Sequence, residues 1–397
     1  MKKKTVVNYT LERCVRCMRC VRTCPTSALT MTDNRITVSD DKCLNCGRCI
    51  SACHSKGLLA TGSPLSAIKD YDYTVCLVPG AMVSSCRSLD EAENLFYAIR
   101  ELGFDEVVDM TDIEGQLVNE TRILSEAENA AAVISSMCPV INRLIEERYP
   151  MLMDHIAPLD YPSEVAAKQV RKRLADKGKV GIFNCCECEA KLMLAKYPYM
   201  NMEYEVDHAL ATVEVFPLIR ENLDKGRLPV TFCREGLQSC NPTMMIQTQT
   251  DLIADGFDKV NDILDMAEFG ILDSFKNLHL FPCFNGCIGG HLLWGNSYLT
   301  KNNIDALTSE RRKAPAEVPV EDIFSDNLNK TEVEPKSFFE KMVFFQKVNE
   351  QLERLPGYDC SACGMQTCRS MAEEIVRGNR TQNDCRIIHS VKEKNKQ

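Results

Sequence analysis

The chain has 397 residues, of which 45% are hydrophobic and 26% are charged, and its formal net charge is −9. This composition excludes a disordered or collagen-like protein, and the length suggests two or three domains. No apolar stretch reaches the roughly 18 residues that span a membrane, and the N-terminus lacks the apolar run of a secretory signal. We therefore expect a cytoplasmic protein with no membrane partner.

Cysteine is the most informative residue type in the chain, with 22 cysteines against six histidines. Because no export signal is visible, disulfides explain so many thiols poorly, and metal binding explains them better. The histidines are few and scattered, which favours all-thiolate iron–sulfur clusters over zinc sites.

Residues 8–60 contain an internal repeat. The spacing C-x2-C-x2-C-x3-C occurs twice, about 29 residues apart. This doubled run is the pattern of two-cluster bacterial ferredoxins, in which the fourth cysteine of each run binds the other cubane. The alternative of two zinc knuckles is weaker, since eight cysteines exceed the four ligands of a zinc ion. The predicted ligands are Cys14, Cys17, Cys20 and Cys53 for the first [4Fe-4S] cluster, and Cys43, Cys46, Cys49 and Cys24 for the second.

The same segment is basic. Residues 1–60 carry 11 Lys and Arg against four Asp and Glu, and Arg13, Arg16, Arg19 and Arg22 lie among the cysteines. Basic segments can bind nucleic acid, but a cubane with four thiolates has a formal charge of about −2, which these cations balance. Because the rest of the chain is acidic, we expect no nucleic-acid partner.

Strand and helix patterns alternate after residue 63, which predicts parallel sheets covered by helices. A helix capped by Ser163 is expected to end near Lys177, before Gly178. The predicted strands are Tyr73–Val78, Glu106–Met110, Ala130–Ser135 and Val180–Asn184, and the other predicted helices are Leu89–Leu102 and Val140–Arg148.

Three further cysteine sites follow predicted strands. They are Ser136-Met137-Cys138-Pro139, Cys185-Cys186-Glu187-Cys188-Glu189-Ala190-Lys191 and Cys283-Phe284-Asn285-Gly286-Cys287-Ile288-Gly289-Gly290. A thiol at a helix start meets unpaired N–H groups that favour the thiolate, and the carboxyl ends of several strands can converge on one site. For any one cysteine alone, a buried structural role is the better interpretation.

Residues 300–337 lose periodicity and gain charge, so we predict a linker or a wrapping strap. An amphipathic helix is predicted over Ser337–Arg354, and Thr367 is predicted to cap a helix that runs through Val376. On spacing alone, the surrounding cysteines suit a third cubane or a zinc ion. They are Cys360, Cys363, Cys368 and Cys385.

In this order, the features resemble an [FeFe]-hydrogenase large subunit of the compact sensory branch that carries a C-terminal cubane domain. The three central motifs match the family's H-cluster loops. Residues 355–364 with Thr367-Cys368-Arg369 match its terminal domain, so the resemblance implies an iron–sulfur cluster and not a zinc ion at the C-terminal cysteines. The resemblance implies a multidomain α/β fold. We expect an α+β ferredoxin module over residues 1–62, a two-lobed α/β body over 63–335 and a small helical 4Fe-4S domain over 336–397.

The resemblance also implies the cofactors and partners. The central cubane ligands would be Cys138, Cys188, Cys283 and Cys287. Cys287 would also bridge to an organometallic di-iron unit, and the ammonium of Lys191 would face a cyanide ligand of that unit. The implied reaction is the reversible oxidation of H2, with a ferredoxin or other redox protein as electron partner. A role in sensing H2 or redox state would add a signalling partner.

Several residues depart from the family pattern. Met137 stands where most active members have a cysteine proton donor, which predicts slow catalysis because a thioether has no proton to give. Glu187 replaces a proline, which leaves Cys186 as an alternative ligand to Cys188. Glu114 and Glu120 are candidates for a proton path or for solvated helix charges.

Six cysteines remain without a predicted ligand role: Cys76, Cys86, Cys185, Cys186, Cys233 and Cys240. One of the last four could supply a substitute proton relay, or all could be packing thiols. The sequence therefore predicts a slow hydrogenase-like oxidoreductase. The alternative is a non-catalytic iron–sulfur protein, with a cubane and no di-iron unit, that acts in electron transfer or signalling.

Overall fold

The computed structural model describes residues 5–127, 132–196, 204–272, 274–300, 302–309, 311–325 and 338–389. The chain divides into two compact units. The first unit joins residues up to Ala60 with the segment that begins at Glu334, and the second unit spans Thr61–Val333. None of the described helices is long and apolar enough to cross a bilayer.

Two antiparallel strand pairs, of which the second is a hairpin, frame the N-terminal part of the first unit. Val7–Tyr9 pairs with Leu58–Ala60, and Leu29–Thr32 pairs with Arg35–Val38. The second pair turns at Asp33 and Asn34, whose φ values of 49° and 60° are those of a two-residue hairpin turn. Short helices cover Leu11–Arg13, Arg19–Thr23 and Arg48–Ser51.

The predicted internal repeat is visible in the backbone. Residues with left-handed φ angles recur at matching places in the two halves: Arg16 with Asn45, Met18 with Gly47, and Ser27 with Lys56. Each short helix begins directly after Met18 or Gly47. Since non-glycine residues adopt this conformation rarely, the matched set indicates that both halves fold in the same way.

The C-terminal part of the first unit is helical. The helix Phe338–Glu353 agrees with the predicted Ser337–Arg354, while Ser337 itself lies outside the described residues. The helix Cys368–Val376 is capped as predicted, because the Thr367 hydroxyl accepts a hydrogen bond from Ser370 N at 3.1 Å. A short 3-10 helix follows at Gln382–Asp384.

This C-terminal part packs directly on the ferredoxin-like part of the same unit. Arg22 Nη2 donates to the carbonyl of Cys360 at 3.0 Å, and the hydroxyls of Ser27 and Ser370 are 2.8 Å apart. Lys42 Nζ forms an ion pair with Glu374 at 2.7 Å. The predicted boundary between the first and last domains stays a prediction, but the structure joins the two in one compact unit.

The Lys42–Glu374 pair gives this packing a pH dependence. Burial opposes ionisation of Glu374, but hydrogen bonds from Lys42, Asn379 and Arg377 outweigh it and lower its pKa to about 2. A depressed carboxyl pKa stabilises the fold above the ordinary value of 4.5, and this contribution is lost as the pH falls toward 2. We expect Lys42→Ala to weaken the packing by about 1 kcal/mol at neutral pH.

Hydrogen exchange of residues 368–376 measures this effect, and Lys56→Ala, an exposed lysine of the same module, is the control. In the wild type, hydrogen-exchange protection of this helix should fall on acidification below about pH 4. In the Lys42→Ala variant, protection should already be low at pH 7 and should fall less on acidification. Equal protection in both proteins at pH 7 would contradict a stabilising pair.

Two parallel sheets form the second unit. The four-stranded sheet has the order Glu106–Asp109, Tyr73–Val78, Val180–Cys186, His208–Ala211. The three-stranded sheet has the order Asp251–Asp255, Asn277–Phe281, Val133–Ile134, and Phe232–Cys233 pairs separately with Arg312–Lys313. The prediction of parallel sheets covered by helices is confirmed.

Helices pack on these sheets. Along the central strand, Val75 and Leu77 point into one apolar cluster, while Cys76 and Val78 point into another. The alternation follows the period of two of a strand that is buried on both faces. The α-helices of this unit are Gly80–Val83, Leu89–Arg100, Thr111–Glu126, Pro139–Arg148, Pro162–Arg173, Glu189–Lys196, Thr212–Arg220, Arg234–Ser239, Phe257–Glu268, Ser297–Thr300, Asn303–Thr308 and Val320–Ile323, and its 3-10 helices are Leu65–Asp70, Pro150–His155 and Gly286–Gly289.

Two sequence predictions need correction. The helix predicted from Ser163 to Lys177 spans Pro162–Arg173, with Tyr161 as its N-cap, because proline suits the first helical position. Of the two alternatives predicted for residues 300–337, a linker is wrong for residues 300–325, since they contain short helices and a strand, and a wrapping strap agrees better with their contacts. Part of this segment runs along the helix Thr111–Glu126, where Ala316 N donates to Asp112 O and Gln116 bonds to Val318. Residues 326–337 lie outside the described part.

Candidate metal centres

The predicted first ferredoxin site is assembled as the sequence pattern requires. The pKa of the Cys20 thiol is raised to about 11, first by burial and then by the charges of Cys53, Cys14 and Cys17. These thiols therefore lie close to one another, although Cys53 comes from the second half of the repeat. Gly57 N donates to Cys53 Sγ at 3.2 Å, a contact that stabilises a thiolate.

The second ferredoxin site is assembled in the same way, with one cysteine from the other half of the repeat. The pKa of the Cys49 thiol is raised strongly by burial, and further by Cys46, Cys43 and Cys24. Cys24 belongs to the first half of the repeat, and its Sγ accepts a hydrogen bond from Ala28 N at 3.2 Å. The exchange of one cysteine between the halves is the geometry that a two-cluster ferredoxin needs.

The four C-terminal cysteines line one small cavity, with Cys360, Cys363, Cys368 and Cys385 on its walls beside Leu355 and Met371. Burial raises the pKa of Cys363, and the charges of Cys385 and Cys360 raise it further. Four thiols around one apolar-walled cavity fit the donor set of a cubane.

The central site is built from three loops of the second unit. Cys138 is the N-cap of the helix Pro139–Arg148, and Cys188 directly precedes the helix Glu189–Lys196. Cys283 and Cys287 follow the strand Asn277–Phe281. Backbone N–H groups at the two helix starts point toward the sulfurs, and they lower the pKa of Cys138 against the larger effect of burial, which raises it.

Backbone contacts lock these loops together. Leu292 N donates to Glu187 O at 3.0 Å, and Ile288 N donates to Cys240 O at 3.3 Å. At Gly290, a Cβ atom would lie 2.3 Å from Glu187 O, so only glycine fits there. The glycines of the third loop therefore allow it to pack against the second.

All four predicted central ligands lie at this junction. Burial raises the pKa of Cys188 first, and the charge of Cys283 adds to the rise. Burial likewise raises the pKa of Cys287, and the charge of Cys138 adds to it. Among the described residues no set of three His, Cys, Asp or Glu side chains converges as the ligands of a single metal ion do. The thiolates of a cubane bind four different irons.

Lys191 is the cation of this site. Its Nζ forms an ion pair with Glu187 at 2.5 Å, and the two side chains are only 10% and 1% exposed. Burial acts to lower the pKa of Lys191, but the negative charges of Glu187, Cys287, Glu114 and Cys188 outweigh it and raise it well above its ordinary value. The ammonium therefore stays charged and neutralises a buried carboxylate.

A second buried acid, Glu114, lies beside Cys240. Its carboxylate accepts a hydrogen bond from Gly80 N at 3.1 Å, and Cys240 Sγ is 3.9 Å from Glu114 Oε2. Burial raises the pKa of Glu114 from 4.5 to about 8, although Lys191 opposes the rise. Glu114 thus holds a proton at neutral pH.

This raised pKa predicts a pH-dependent stability. Between pH 4.5 and 8 an unfolded chain ionises Glu114 while the folded chain keeps it protonated, so stability falls as the pH rises through this window. Glu114→Gln should leave stability near pH 5 unchanged and raise it at pH 8 by roughly 4 kcal/mol at most. Denaturant titrations at both pH values measure the difference.

Glu120→Gln, on a half-buried position of the same helix, is the matched control and should change stability by less than about 0.5 kcal/mol at either pH. If Glu114→Gln destabilised the protein equally at both pH values, Glu114 would be ionised in the fold.

Family models match the chain in three places. The model described as "Iron only hydrogenase large subunit, C-terminal domain" matches residues 80–239, and that of a 4Fe-4S dicluster domain matches residues 13–56. An Fe-S cluster model matches residues 355–387. Residues 80–239 are thus similar to the large subunit of iron-only hydrogenases. This confirms the resemblance that the motifs predicted.

Solved [FeFe]-hydrogenase structures were also found. A variant of [FeFe]-hydrogenase HydA1 from Chlamydomonas reinhardtii is 15% identical, with a TM-score of 0.49 over 64% of this chain and 91% of that chain. A structure that reports oxygen inactivation through the 2Fe subcluster of [FeFe]-hydrogenase is 15% identical, with a TM-score of 0.49 over 63% and 89% of the two chains. No curated protein sequence matches the chain.

The structure separates the two candidate ligands of the second loop in this hydrogenase-like protein. Cys188 lies with Cys283 and Lys191, whereas Cys186 Sγ donates to the carbonyl of Asn184 at 3.5 Å on the buried strand. This geometry favours Cys188, and its role as a ligand stays a prediction.

The unassigned cysteines have different surroundings. Cys76 and Cys185 lie 3.5 Å apart, sulfur to sulfur, in an apolar core, and Cys86 belongs to the same core. Cys233 Sγ contacts Glu235 at 3.3 Å. Only Cys240 joins the central junction, where it packs with Cys287. Of the four cysteines considered as a substitute proton relay, Cys240 packs against a predicted central ligand, and its role stays a prediction.

Other departures from the family pattern lie at residues next to the central cysteines. Met137 is half-buried against the apolar cluster of Val75 and Leu77, so it contributes packing at the position that it occupies. Glu189 is fully buried, and its Oε2 lies 3.5 Å from His291 Nδ1. The sequence did not reveal the contact between Glu189 and His291, because the two residues are about 100 positions apart. The i, i+4 spacing of Glu187 and Lys191 could have revealed that ion pair.

Proposed function

We propose that this chain is an iron–sulfur oxidoreductase whose central site oxidises H2 and reduces protons slowly and reversibly. The observation that carries the proposal is that four partly buried thiols lie at one junction that also holds Lys191: Cys138, Cys188, Cys283 and Cys287. These four thiols and the ammonium are the residues that the family resemblance predicts at an H-cluster.

The residues present fit a central cubane. Two of the four thiols lie at helix starts, where N–H groups favour thiolates, and the glycines of the third loop leave room for close packing. A di-iron unit, when bound, would supply the site of H2 cleavage. The chain would contribute sulfur ligands, exclude water by burial, and hold a proton at Glu114.

The ferredoxin-type and C-terminal cysteine sites supply the electron carriers of the proposal. Three cubanes of this kind transfer single electrons, so they match a reaction that releases or consumes two electrons for each H2. We propose that an external ferredoxin or other redox protein exchanges electrons with them, and that the slow reaction serves to sense H2 or redox state.

Slow turnover follows from Met137. General acid–base catalysis contributes about 10²–10⁴ in rate, and a thioether at this position cannot provide it. Glu114 holds a proton at neutral pH, but it comes from a different helix.

A second function is favoured by one observation. The ammonium of Lys191 is already paired with Glu187, so it would not be free to face an anionic cyanide ligand. A site with this pair would suit a cubane without a di-iron unit, and the chain would then act in electron transfer or signalling.

Infrared spectroscopy after anaerobic maturation separates these functions. Bands of bound CO and cyanide, together with H2-dependent dye reduction, are expected for the oxidoreductase. An absence of such bands in a sample with about 16 irons per chain would support the second function. Glu187→Gln, which frees Lys191, should strengthen the bands if the pair hinders a di-iron unit, and Glu235→Gln serves as the matched control.

A further inference from the structure

The first ferredoxin site contains the most exposed of the sixteen predicted cysteine ligands. Of the 22 cysteines, all of which lie in the described part of the chain, only Cys17 is exposed. Electrons tunnel over short distances, so a partner that docks beside Cys17 comes closer to a cluster than it could at any buried ligand. The loop that carries Cys17 is therefore the natural place for electrons to enter or leave.

Three arginines surround this exposed thiol. Arg13, Arg16 and Arg19 are all exposed, and none forms an ion pair with a carboxylate of the described residues. The fourth arginine of the motif differs, because Arg22 binds the carbonyl of Cys360 and the hydroxyl of Ser361. The sequence pattern predicts that all four arginines balance the cluster charge. In the structure three of them are exposed, and the fourth binds the C-terminal part of the unit.

An apolar residue lies in the middle of these cations. Val15 is 70% exposed, although it sits between two cysteines of a compact module. A small apolar centre with a charged rim is typical of a protein–protein interface. We name Arg13, Val15, Arg16, Cys17 and Arg19 the arginine patch.

The second ferredoxin site does not offer a comparable surface. Lys42, which precedes Cys43, is paired with Glu374, and Ser27, three residues after Cys24, contacts Ser370. The C-terminal part of the unit therefore packs beside two of the predicted ligands of the second cluster. An external partner meets the arginine patch at the first cluster, where no such packing lies among the described contacts.

We propose that the arginine patch docks an acidic one-electron carrier protein, which passes its electron to the cluster of Cys14, Cys17, Cys20 and Cys53. Charge complementarity supports this partner, since residues 1–60 carry 11 Lys and Arg against four Asp and Glu while the whole chain has a net charge of −9. An acidic protein is repelled by the rest of the chain and attracted to this patch, which steers it to the exposed thiol.

The transfer itself is simple. One electron leaves the reduced cofactor of the partner and enters the cubane, and no bond forms or breaks. The inference deepens the proposed function by naming the surface that its electron partner uses, and it needs only the ferredoxin-type cluster.

Stopped-flow reduction of the anaerobic full chain tests the patch. The probe is fully reduced flavodoxin, an acidic carrier whose anionic flavin hydroquinone loses one electron to give the neutral semiquinone, which is followed by its absorbance. Wild-type reduction should slow steeply as salt is added. The triple variant Arg13→Glu, Arg16→Glu, Arg19→Glu should be about 10- to 100-fold slower at low salt and lose the salt dependence.

Matched variants separate docking from general charge. Arg16→Glu should slow the reaction several-fold, while Arg35→Glu, an exposed arginine on a strand of the same module, should not. Replacement of the three patch arginines by lysine should keep most of the rate. Reduction by the methyl viologen radical cation should not slow in any variant, and the iron content should stay unchanged.

Several results would overturn the proposal. The triple variant could be reduced as fast as wild type, Arg35→Glu could be as slow as Arg16→Glu, or a random-sequence DNA duplex could displace flavodoxin through the same arginines at physiological salt. The readout ends at the ferredoxin-type clusters. A chain that shows no H2 turnover but loses electron entry in the triple variant would therefore refute the proposed function and support the patch.

Discussion

Lys191→Met is expected to destabilise the protein by about 3–5 kcal/mol, because it leaves the carboxylate of Glu187 buried without its cation. The pair is 2.5 Å long, and Glu187 is 1% exposed, so water cannot replace the lost ammonium. Denaturant titration of the anaerobic protein, followed by circular dichroism, measures the loss.

The double variant Lys191→Met, Glu187→Gln should recover most of the stability, since it removes the stranded charge as well as the cation. Lys259→Met is the matched control. Lys259 and Asp255 are also four residues apart, but their pair is 3.3 Å long and Lys259 is 67% exposed, so the cost should stay below about 1 kcal/mol. If Lys191→Met and Lys259→Met lowered the free energy of unfolding equally, the buried Glu187 carboxylate would not need Lys191 as its cation.

This pair also limits the charge that the central site can accept. Glu114, Glu187 and Glu189 are all buried near the four candidate thiolates, while the cations facing them are Lys191 and, when protonated, His291. Each added anion must therefore be offset by a proton. Glu114, with its raised pKa, already holds one at neutral pH. If a cluster is bound at this site, we therefore expect each added electron to be accompanied by proton uptake, in either of the two proposed functions.

The parts of the fold that depend on local sequence could be predicted. Both ferredoxin sites follow from cysteine spacing, because a short loop and one helical turn fix the positions of three thiols. The strand Tyr73–Val78 has the predicted bounds, and the helix capped by Thr367 ends at the predicted Val376. Cys138 and Cys283 follow neighbouring parallel strands of the three-stranded sheet, which end at the same edge, whereas Cys188 follows a strand of the other sheet, so its approach to them could not be predicted from strand order.

Contacts between residues far apart in sequence could not be predicted. Cys240 meets Glu114 from 126 positions away, and Arg22 meets Cys360 from 338 positions away. Such contacts are set by tertiary packing, which a spacing pattern does not encode. The error at Ser163 has a local cause, since a proline at the first turn competes with a good capping residue one position later.

Removal of iron should affect the two units very differently. The core of the ferredoxin-like part includes the predicted ligands Cys20, Cys24, Cys43 and Cys49, with few other large apolar side chains. A module of about 60 residues buries too little apolar surface to fold well alone, so metal binding contributes much of its stability. The large cores of the second unit contain none of the sixteen predicted ligands.

Anaerobic treatment of the full chain with an iron chelator should therefore lower hydrogen-exchange protection in residues 5–60 by about 100-fold or more, while the strands Tyr73–Val78 and Val180–Cys186 keep most of theirs. Mass spectrometry of peptides from both units measures this within one sample, so the second unit is the internal control. Persistent protection in residues 5–60 after iron loss would mean that the apolar core alone holds the module.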